Sequence, residues 1–400
     1  MDFPHLQEIV QQTDSRIVFL VVDGLGGVPH PATGRSELEV ARVPNLNSLA
    51  GESACGLLTP VLPGVTPGSG PGHLALFGYD PVRYTIGRGV LEAFGIGLEL
   101  SAGQVAARGN FCTVDEQGII VDRRAGRIES HEAEPRCREL DRIRVSGGHV
   151  SVHPVKDHRF VLVLSGNGLS ERVSETDPQK TGVTPLEARP LDGAAATTAS
   201  MVNEFVSAAR RQLMGQPKAN MVLLRGFSQA PAFPSMAQAY QLSPAAIAAY
   251  PMYRGLAKLV GMTVIPTGSI FREEVDTLEE HFREHDFFFL HYKNADAAGE
   301  DGDFEKKVAA LEELDALLQR IVALKPDVLV VTGDHATPSI LAGHSWHPVP
   351  VLIHSPWTKG EGVNGFNERA CGQGSLGRIP SANLMFLALA HAGKLKKFGP

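Results

Sequence analysis

Two apolar runs, one near each end of the chain, stop at side chains that bind metal ions. The first run, residues 17–22, leads into Asp23, and the second, residues 328–331, leads through Thr-Gly into Asp334 and His335. Short runs that are apolar throughout are typical of parallel strands covered on both faces. In an open α/β sheet, ligands and catalytic groups gather at the carboxyl ends of the strands. The pattern therefore predicts that both runs contribute to one site at one edge of a sheet.

Two further segments supply side chains of the same kind. The run 287–290 precedes Asp296 and Glu300, and His344 precedes the run 349–353. Both runs are again predicted to be parallel strands. Carboxylate oxygens mixed with imidazole nitrogens suit Mn²⁺, Zn²⁺ or related divalent ions, whereas soft thiolate sites need clustered cysteines. Together with the first group this gives six candidate ligands, enough for two ions.

A glycine-rich loop supplies a candidate nucleophile. In Thr66-Pro-Gly-Ser69-Gly-Pro-Gly-His73, glycines and prolines surround one serine, and a segment that could begin a helix starts at Leu74. A serine at a helix N-terminus lies where backbone N–H groups and the helix dipole attract phosphate oxygens. A metal ion beside its oxygen would lower the pKa of the hydroxyl. The loop therefore indicates phosphoryl transfer, although its glycines and Ser69 could also be ordinary turn and cap residues.

Taken in order, these motifs resemble the 2,3-bisphosphoglycerate-independent phosphoglycerate mutases, specifically their archaeal-type branch within the alkaline phosphatase superfamily. The resemblance covers nearly the whole chain. It rests on these segments: Val-Val-Asp23-Gly-Leu-Gly; Ser69-Gly-Pro-Gly-His73, followed by Gly-Tyr-Asp-Pro81; Asp296-Ala-Ala-Gly-Glu-Asp-Gly-Asp303; and Thr-Gly-Asp334-His335, followed by His344-Ser-Trp-His-Pro-Val-Pro350. Each segment alone is weak evidence, but the ordered set is specific.

The resemblance implies an isomerase with two divalent metal ions. One ion would be held by Asp23, Ser69, Asp334 and His335, and the other by Asp296, Glu300 and His344. Ser69 would carry the phosphate while 3-phosphoglycerate and 2-phosphoglycerate interconvert in glycolysis and gluconeogenesis, without a bisphosphoglycerate primer. The position of Glu300 is often histidine in relatives. Because oxygen ligands suit harder ions, Mn²⁺ is the expected ion, with Mg²⁺, Co²⁺ or Zn²⁺ as alternatives.

The order of these residues also predicts the domain organisation. The 400 residues exceed the usual domain size of about 100–200 residues. Because candidate ligands occur early and late, residues 98–244 are predicted to be a smaller α/β domain inserted into a catalytic domain formed by 1–97 and 245–400. By the resemblance, the catalytic domain is expected to have an alkaline-phosphatase-like, doubly wound and mostly parallel sheet. The insert is expected to act as a cap, because water that reached phosphoserine would hydrolyse it.

Several basic side chains are candidates for binding the anionic substrate. Arginine forks suit carboxylate and phosphate groups, although a single arginine is more often a surface charge. The candidates are Arg124, Arg127, Arg159, Arg254, Lys293 and His347. Arg124 and Arg127 are preferred in the cap because their spacing lets guanidinium groups cluster on one turn. His347 competes with His344 for one ligand role and is interpreted as a substrate or outer contact.

Composition limits the class of protein. Hydrophobic residues make up 43% of the chain and charged residues 20%, which permits a sizeable core. The net charge is −7 and no dense basic run is present, so nucleic-acid binding is not predicted. The first residues lack a secretory signal, no membrane span is seen, and the four cysteines are far apart, so a cytoplasmic protein with reduced thiols is expected. The predicted partner is phosphoglycerate, and the oligomeric state is left open.

Two other functional classes fit the same residues. A phosphatase, phosphodiesterase or phosphopentomutase could use the same catalytic domain, because specificity resides in the inserted domain. A metal-binding or interaction protein without catalysis is a third class, but the presence of Ser69 beside a full set of candidate ligands argues against it.

Overall fold

The computed structural model describes residues 4–399. The chain forms two compact units. The larger unit contains the residues up to Thr85 and those from Phe233 onward, and the smaller unit is Ile86–Ala232. The smaller unit is thus inserted in the sequence of the larger one, with boundaries at 86 and 232 where the sequence suggested 98 and 244.

The strands range from fully buried apolar runs such as Ile17–Val22 to short, partly exposed ones such as Gly377–Pro380. In chain order they are β1 Ile17–Val22, β2 Ala54–Thr59, β3 Val105–Val114, β4 Ile120–Asp122, β5 His149–Pro154, β6 Arg159–Ser165, β7 Met221–Ser228, β8 Pro244–Ile247, β9 Thr263–Val264, β10 Phe287–Tyr292, β11 Val328–Thr332, β12 Val349–His354 and β13 Gly377–Pro380.

The α-helices alternate with these strands along much of the chain. They are α1 Leu6–Ile9, α2 Glu37–Val40, α3 Pro44–Ala50, α4 Ser69–Leu76, α5 Arg88–Gly95, α6 Ser130–Leu140, α7 Ala196–Leu213, α8 Met236–Tyr240, α9 Pro251–Leu259, α10 Phe271–His281, α11 Asn294–Glu300, α12 Phe304–Ala323, α13 Glu368–Cys371 and α14 Leu384–His391. Short 3₁₀ turns occur at Ala125–Arg127, Gly193–Ala195, Ser339–Leu341 and Ser381–Asn383.

The larger unit is built on an eight-stranded sheet in the order β13-β2-β12-β11-β1-β10-β8-β9. β1 lies between two parallel neighbours, with Ile17 opposite Phe287 on one side and Val328 on the other. All six residues of β1 are buried, as expected for a strand covered on both faces. α12 contributes Leu311 to the core cluster on one of these faces. The predicted α/β class with a large, mostly parallel sheet is confirmed.

One strand runs against the other seven. β12 pairs antiparallel with both β11 and β2, whereas the remaining pairings of this sheet are parallel. The prediction of a parallel strand at 349–353 was therefore wrong. A parallel return needs a long crossover connection, usually a helix. The connection from β11 to β12 contains only the one-turn helix Ser339–Leu341, so β12 folds back beside β11.

The smaller unit has a five-stranded sheet in which all pairings are antiparallel. β3 is central and pairs with β4, β6 and β7. The helix α5 belongs to this unit because it packs closely on β3. A Cβ at Gly89 of α5 would lie 2.1 Å from the carbonyl oxygen of Ala106. This contact explains why the unit begins before residue 98.

Neither unit contains a helix that could cross a lipid bilayer, within residues 4–399. The cysteines of the chain are free and buried.

Candidate active site

The candidate site lies at the carboxyl ends of β1, β10 and β11. Asp23 follows the last residue of β1, and its backbone N–H donates to the carbonyl oxygen of Tyr292 at the end of β10, at 2.9 Å. Asp334 and His335 follow β11. Since β12 is antiparallel to β11, its amino end lies at the same edge of the sheet, and this brings the preceding residue His344 to the site.

The first group of candidate ligands is Asp23, Asp334 and His335. One ligand atom from each lies within 4.8 Å of the others, and all three residues are buried. His335 Nε2 is 3.3 Å from Asp23 Oδ1 and 3.1 Å from Asp334 Oδ2. The two carboxylates and the imidazole therefore face one point.

The tautomer of His335 follows from its neighbour Thr337. The Thr337 hydroxyl lies 2.5 Å from Asp296 Oδ1 and 3.0 Å from His335 Nδ1. An ionised carboxylate can only accept, so the Thr337 hydroxyl uses its one proton there. His335 Nδ1 must then donate to the Thr337 oxygen, and in a neutral imidazole this places the lone pair on Nε2. An imidazole held in this way by its other nitrogen is typical of a metal ligand.

Ser69 is the first residue of α4, so the helix begins five residues before the expected start at Leu74. Its Oγ lies 3.2 Å from His335 Nε2. The helix can approach this closely because residue 72 is glycine. A Cβ at Gly72 would lie 2.4 Å from the carbonyl oxygen of Asp334. One turn further, His73 Nδ1 donates to the Ser69 carbonyl oxygen at 2.8 Å, and His73 thus supports the helix start.

The second group of candidate ligands is Asp296, His344 and Glu300. Asp296 and His344 form a second close group with His335, whose ring stacks on His344 with centroids 3.7 Å apart. His344 Nδ1 donates to the carbonyl oxygen of Pro67 at 3.0 Å, so its Nε2 carries the lone pair. That atom lies 3.7 Å from Asp296 Oδ1 and 3.6 Å from Glu300 Oε1. The Glu300 side chain is 54% exposed and is the most accessible member.

The arrangement of atoms in the first group fits a divalent metal ion. Asp23 Oδ1 and Asp334 Oδ2 are buried and have no hydrogen-bond partner among the described residues. Buried carboxylate oxygens are normally paired, because an unpaired one costs several kcal/mol of desolvation free energy. Here two such oxygens and the lone pair of His335 Nε2 converge. A cation among them would offset that cost, and oxygen and imidazole ligands suit divalent ions.

Lys293 connects the two groups. Its Nζ lies 3.0 Å from Asp23 Oδ2 and 2.5 Å from Asp296 Oδ2. Burial alone would lower the pKa of Lys293, but the charges of Asp23 and Asp296 raise it, so the side chain is an ammonium ion. Burial alone would raise the pKa of Asp23, but the adjacent His291 and the charge of Lys293 hold it well below its usual value.

Sequence reasoning missed two residues of this site, Tyr253 and Thr337. The Tyr253 hydroxyl is buried, donates to Asp23 Oδ2 and lies 3.2 Å from Lys293 Nζ. Its position in α9 gives no chemical signal, because an aromatic residue in a helix is usually part of the core. Thr337 follows His335 by two residues, but only the fold shows that its hydroxyl reaches Asp296.

The other substrate candidates are divided between the two units. Arg124 precedes the 3₁₀ turn Ala125–Arg127 of the smaller unit, Arg127 ends it, and both are exposed. Arg254 is half-buried on α9 in the larger unit. His347 Nδ1 lies 3.0 Å from Ser345 Oγ, and its ring stacks on the exposed Trp346.

Arg159 instead belongs to a basic cluster within the smaller unit. Arg159 and Arg108 approach one carboxylate oxygen of Glu92 at 3.8 and 3.9 Å. Burial lowers the pKa of Arg108, although Glu92 raises it, and Arg88 and Arg225 lie close enough to repel it. The Nε atoms of Arg108 and Arg225 are buried without hydrogen-bond partners in the described chain. Arg225 also lies 3.9 Å from Asp177, which pairs more closely with Arg123 at 2.7 Å. The four arginines therefore outnumber the carboxylates beside them and keep unpaired donors for an anion.

Comparisons with known proteins indicate one family, and the matches to similar proteins cover nearly the whole chain. A family model described as 2,3-bisphosphoglycerate-independent phosphoglycerate mutase matches residues 50–218. A protein of Thermus thermophilus, named probable 2,3-bisphosphoglycerate-independent phosphoglycerate mutase, is 50% identical over 402 residues, which cover 99% of each chain. A protein of Thermotoga petrophila with the same name is 49% identical over 396 residues and 98% of each chain. A solved structure of cofactor-independent phosphoglycerate mutase from Thermoplasma acidophilum gives a TM-score of 0.76 at 29% identity, over 94% of this chain and 100% of that one.

Proposed function

The chain belongs to the family of 2,3-bisphosphoglycerate-independent phosphoglycerate mutases, which are isomerases, and we propose that it interconverts 3-phosphoglycerate and 2-phosphoglycerate through a phosphoserine at Ser69. The observation that carries the proposal is the position of Ser69. Its hydroxyl is at the N-terminus of α4 and 3.2 Å from His335, within the group of acidic and imidazole side chains described above.

Two transfers in sequence account for the reaction. Ser69 Oγ gives up its proton and attacks the phosphorus of 3-phosphoglycerate, the bond from phosphorus to the 3-oxygen breaks, and this oxygen takes up a proton. The 2-hydroxyl of the retained glycerate then attacks the phosphorus of phosphoserine. It gives up its proton, the bond to Ser69 Oγ breaks, and Ser69 regains its hydroxyl. No water and no second phosphate donor enter the balance, so the same phosphate returns to the same glycerate.

The residues around Ser69 suit a transfer in which positioning and charge provide the catalysis. The N-terminal end of α4 carries a partial positive charge that favours phosphate oxygens. The ammonium of Lys293 adds a full charge at the midpoint of the site. Ser69 Oγ lies 3.2 Å from His335 Nε2, so the nucleophile is in contact with the first ligand group.

We assign one divalent ion to Asp23, Ser69, Asp334 and His335, and a second to Asp296, Glu300 and His344. When bound, such ions would lower the pKa of the serine hydroxyl and neutralise phosphate oxygens. The orphaned oxygens of Asp23 and Asp334 support the first assignment. The lone pair of His344 Nε2, turned towards Asp296 and Glu300, supports the second. Mn²⁺ is the expected ion because the second group is rich in oxygen ligands.

The substrate-binding role of a cap is proposed for the smaller unit, residues 86–232. Its support is the basic cluster of Arg88, Arg108, Arg159 and Arg225, whose four positive charges exceed the two negative charges of Glu92 and Asp177. Guanidinium groups bind carboxylate and phosphate through paired hydrogen bonds, and phosphoglycerate carries both. The cluster replaces the exposed Arg124 and Arg127 as the preferred anion site of this unit.

Phosphorus NMR of the purified, Mn²⁺-supplied protein tests the proposal. The protein is given 3-phosphoglycerate in ¹⁸O-labelled water, without bisphosphoglycerate, beside the variants Ser69→Ala and Ser101→Ala, the second being an exposed serine. We expect 2-phosphoglycerate without ¹⁸O from the parent and from Ser101→Ala, and none from Ser69→Ala. Release of labelled inorganic phosphate alone would instead identify a phosphatase. An unchanged spectrum would reject the substrate.

A further inference from the structure

A lysine that is completely buried lies behind the candidate metal site. Lys307 on α12 has no exposed surface, and burial lowers its pKa. Its Nζ donates to the carbonyl oxygen of Gly26 at 3.0 Å and to that of Thr337 at 2.8 Å. Its neighbour Lys306 is exposed and pairs with Asp301 at 2.8 Å. Burying an ammonium costs desolvation free energy, which these two hydrogen bonds offset only in part.

The two carbonyl groups belong to the two loops that carry the first ligand group. Gly26 comes three residues after Asp23, in the turn that follows β1, and Thr337 comes two residues after His335. The backbone N–H of Thr337 also donates to the Gly26 carbonyl oxygen, at 3.1 Å. One ammonium group therefore ties the loop after β1 to the loop after β11. The Thr337 side chain then extends the connection to Asp296, at 2.5 Å.

Two glutamates complete this arrangement. Glu37 is buried and accepts from the backbone N–H of Ser339 at 2.8 Å and from its hydroxyl at 2.6 Å. Glu368 is partly buried and accepts from the backbone N–H of Gly27 at 2.8 Å. Both carboxylates lie close to Gly27. A Cβ built on this residue would be 2.0 Å from Glu37 Oε2 and 3.5 Å from Glu368 Oε1.

The positive charge of Lys307 interacts with Glu37, with Glu368 and also with Asp296. Lys307 and the two glutamates thus each hold backbone in one or both of the same two loops. Replacing an entire buried ionic cluster by apolar side chains of similar volume often leaves stability unchanged or raises it, whereas removing one partner alone is destabilising. The cluster is therefore better explained by the geometry that it imposes than by stability.

We propose that Lys307, with Glu37 and Glu368, is a positioning device that fixes the spacing of the loops after β1 and β11 and so preorganises Asp23, His335 and Asp296 for divalent metal binding. The proposal rests on the metal-site assignment made above. None of the three side chains touches the ligand atoms. Their effect is transmitted through backbone and through Thr337, as outer contacts commonly affect metal affinity by 10- to 100-fold.

The test compares Lys307→Met with the matched control Lys306→Met in the full chain. Methionine keeps the length and volume of the lysine stem but removes the charge and the donors. The readouts are the unfolding temperature of metal-free protein, the Mn²⁺ dissociation constant from the EPR signal of free Mn²⁺, and kcat and KM. For Lys307→Met we expect a lower metal-free unfolding temperature, because Glu37 and Glu368 lose their partner charge, together with a dissociation constant about 10-fold or more higher in the folded variant and a lower kcat at similar KM. Lys306→Met should match the parent protein.

If Lys307→Met folds poorly, a charge-balanced double variant tests the proposal instead. Lys307→Met combined with Glu37→Gln removes one charge of each sign, so it should fold while Mn²⁺ binding stays weak. A Mn²⁺ dissociation constant within twofold of the parent value in a folded variant would overturn the proposal. So would failure of both variants to fold, which would assign Lys307 to the core alone. Mn²⁺ binding is read without substrate, so these outcomes do not depend on whether 3-phosphoglycerate is converted.

Discussion

The hydroxyl oxygen of Ser69 lies 3.2 Å from Nε2 of His335, although 266 positions separate the two residues in the sequence. The contact requires the first turn of α4 to pack against the loop after β11. That approach depends on Gly72, whose missing side chain leaves room for the Asp334 backbone. The nucleophile and the first ligand group are therefore held together by the packing of one helix turn on one loop.

Gly72→Ala should disrupt this packing. Its Cβ would lie 2.4 Å from the Asp334 carbonyl oxygen, which is backbone and cannot swing away. We expect a loss of about 1–3 kcal/mol in the free energy of unfolding, measured in urea on metal-free protein, and mutase activity near background. Gly95→Ala is the control, because a Cβ at this helical position meets nothing within 4 Å. That variant should be as stable as the parent or slightly more so. Equal behaviour of the two variants would show that the approach at Gly72 is not required.

Glu300 should set the metal preference of the second ligand group. Its oxygen lies 3.6 Å from His344 Nε2, and an oxygen ligand favours Mn²⁺ or Mg²⁺ over Zn²⁺ more than an imidazole would. We expect Glu300→His to raise the ratio of Zn²⁺-supported to Mn²⁺-supported activity several-fold. The assay adds each metal separately to protein stripped with a chelator. Glu305→His, at an exposed position of α12, should leave the ratio unchanged. An unchanged ratio in Glu300→His would remove Glu300 from the ligand set.

Arg159 should contribute to substrate binding more than to stability. Its guanidinium approaches Glu92 only at 3.8 Å and belongs to a cluster with excess positive charge. A hydrogen bond to a charged group contributes about 1.5–3 kcal/mol, so Arg159→Met should raise KM for 3-phosphoglycerate by roughly 10- to 100-fold. Arg210→Met, at an exposed position of α7, should behave like the parent protein. If KM is unchanged while the unfolding temperature falls, Arg159 is only a structural partner of Glu92.

Part of the site could be predicted from the sequence because simple rules govern it. Asp23 and Asp334 each follow a continuous apolar run, and parallel neighbouring strands end at the same edge of the sheet. Their proximity therefore needs no knowledge of side-chain packing. The direction of β12 could not be predicted in this way. A strand buried on both faces has the same apolar sequence whether it runs parallel or antiparallel. Only the connection from β11, whose helix Ser339–Leu341 is too short for a crossover, distinguishes the two directions.

Contacts made by individual side chains could not be predicted from such rules. Lys306 and Lys307 are adjacent lysines in one amphipathic helix, yet the first is exposed and the second is fully buried. Helical periodicity places them on different faces, but it does not show that a buried ammonium finds the carbonyl oxygens of Gly26 and Thr337. Such contacts depend on how α12 lies against two loops distant in sequence, and a local pattern contains no information on that arrangement.

Glu274 should make the stability of the larger unit depend on pH. The residue is buried on α10 and its carboxylate accepts from the backbone N–H of Ala249 at 2.6 Å. Burial raises its pKa to about 7, although the hydrogen bond to Ala249 acts in the opposite direction. In an unfolded chain the pKa of a glutamate is about 4.3. The folded state therefore binds the proton more tightly, and the stabilisation is complete below about pH 4 and is lost as the pH rises through about 7.

Glu274→Gln removes this dependence, because the amide stays neutral and can still accept from Ala249. At pH 4 the parent and the variant should have similar free energies of unfolding. Between pH 4 and pH 8 the variant should become more stable than the parent by roughly 3 kcal/mol, since each pKa unit corresponds to about 1.4 kcal/mol. Urea unfolding of metal-free protein across this range measures the difference. Glu280→Gln, at an exposed position of the same helix, should follow the parent at every pH. A constant difference between Glu274→Gln and the parent would mean that Glu274 titrates in the folded protein as it does in water.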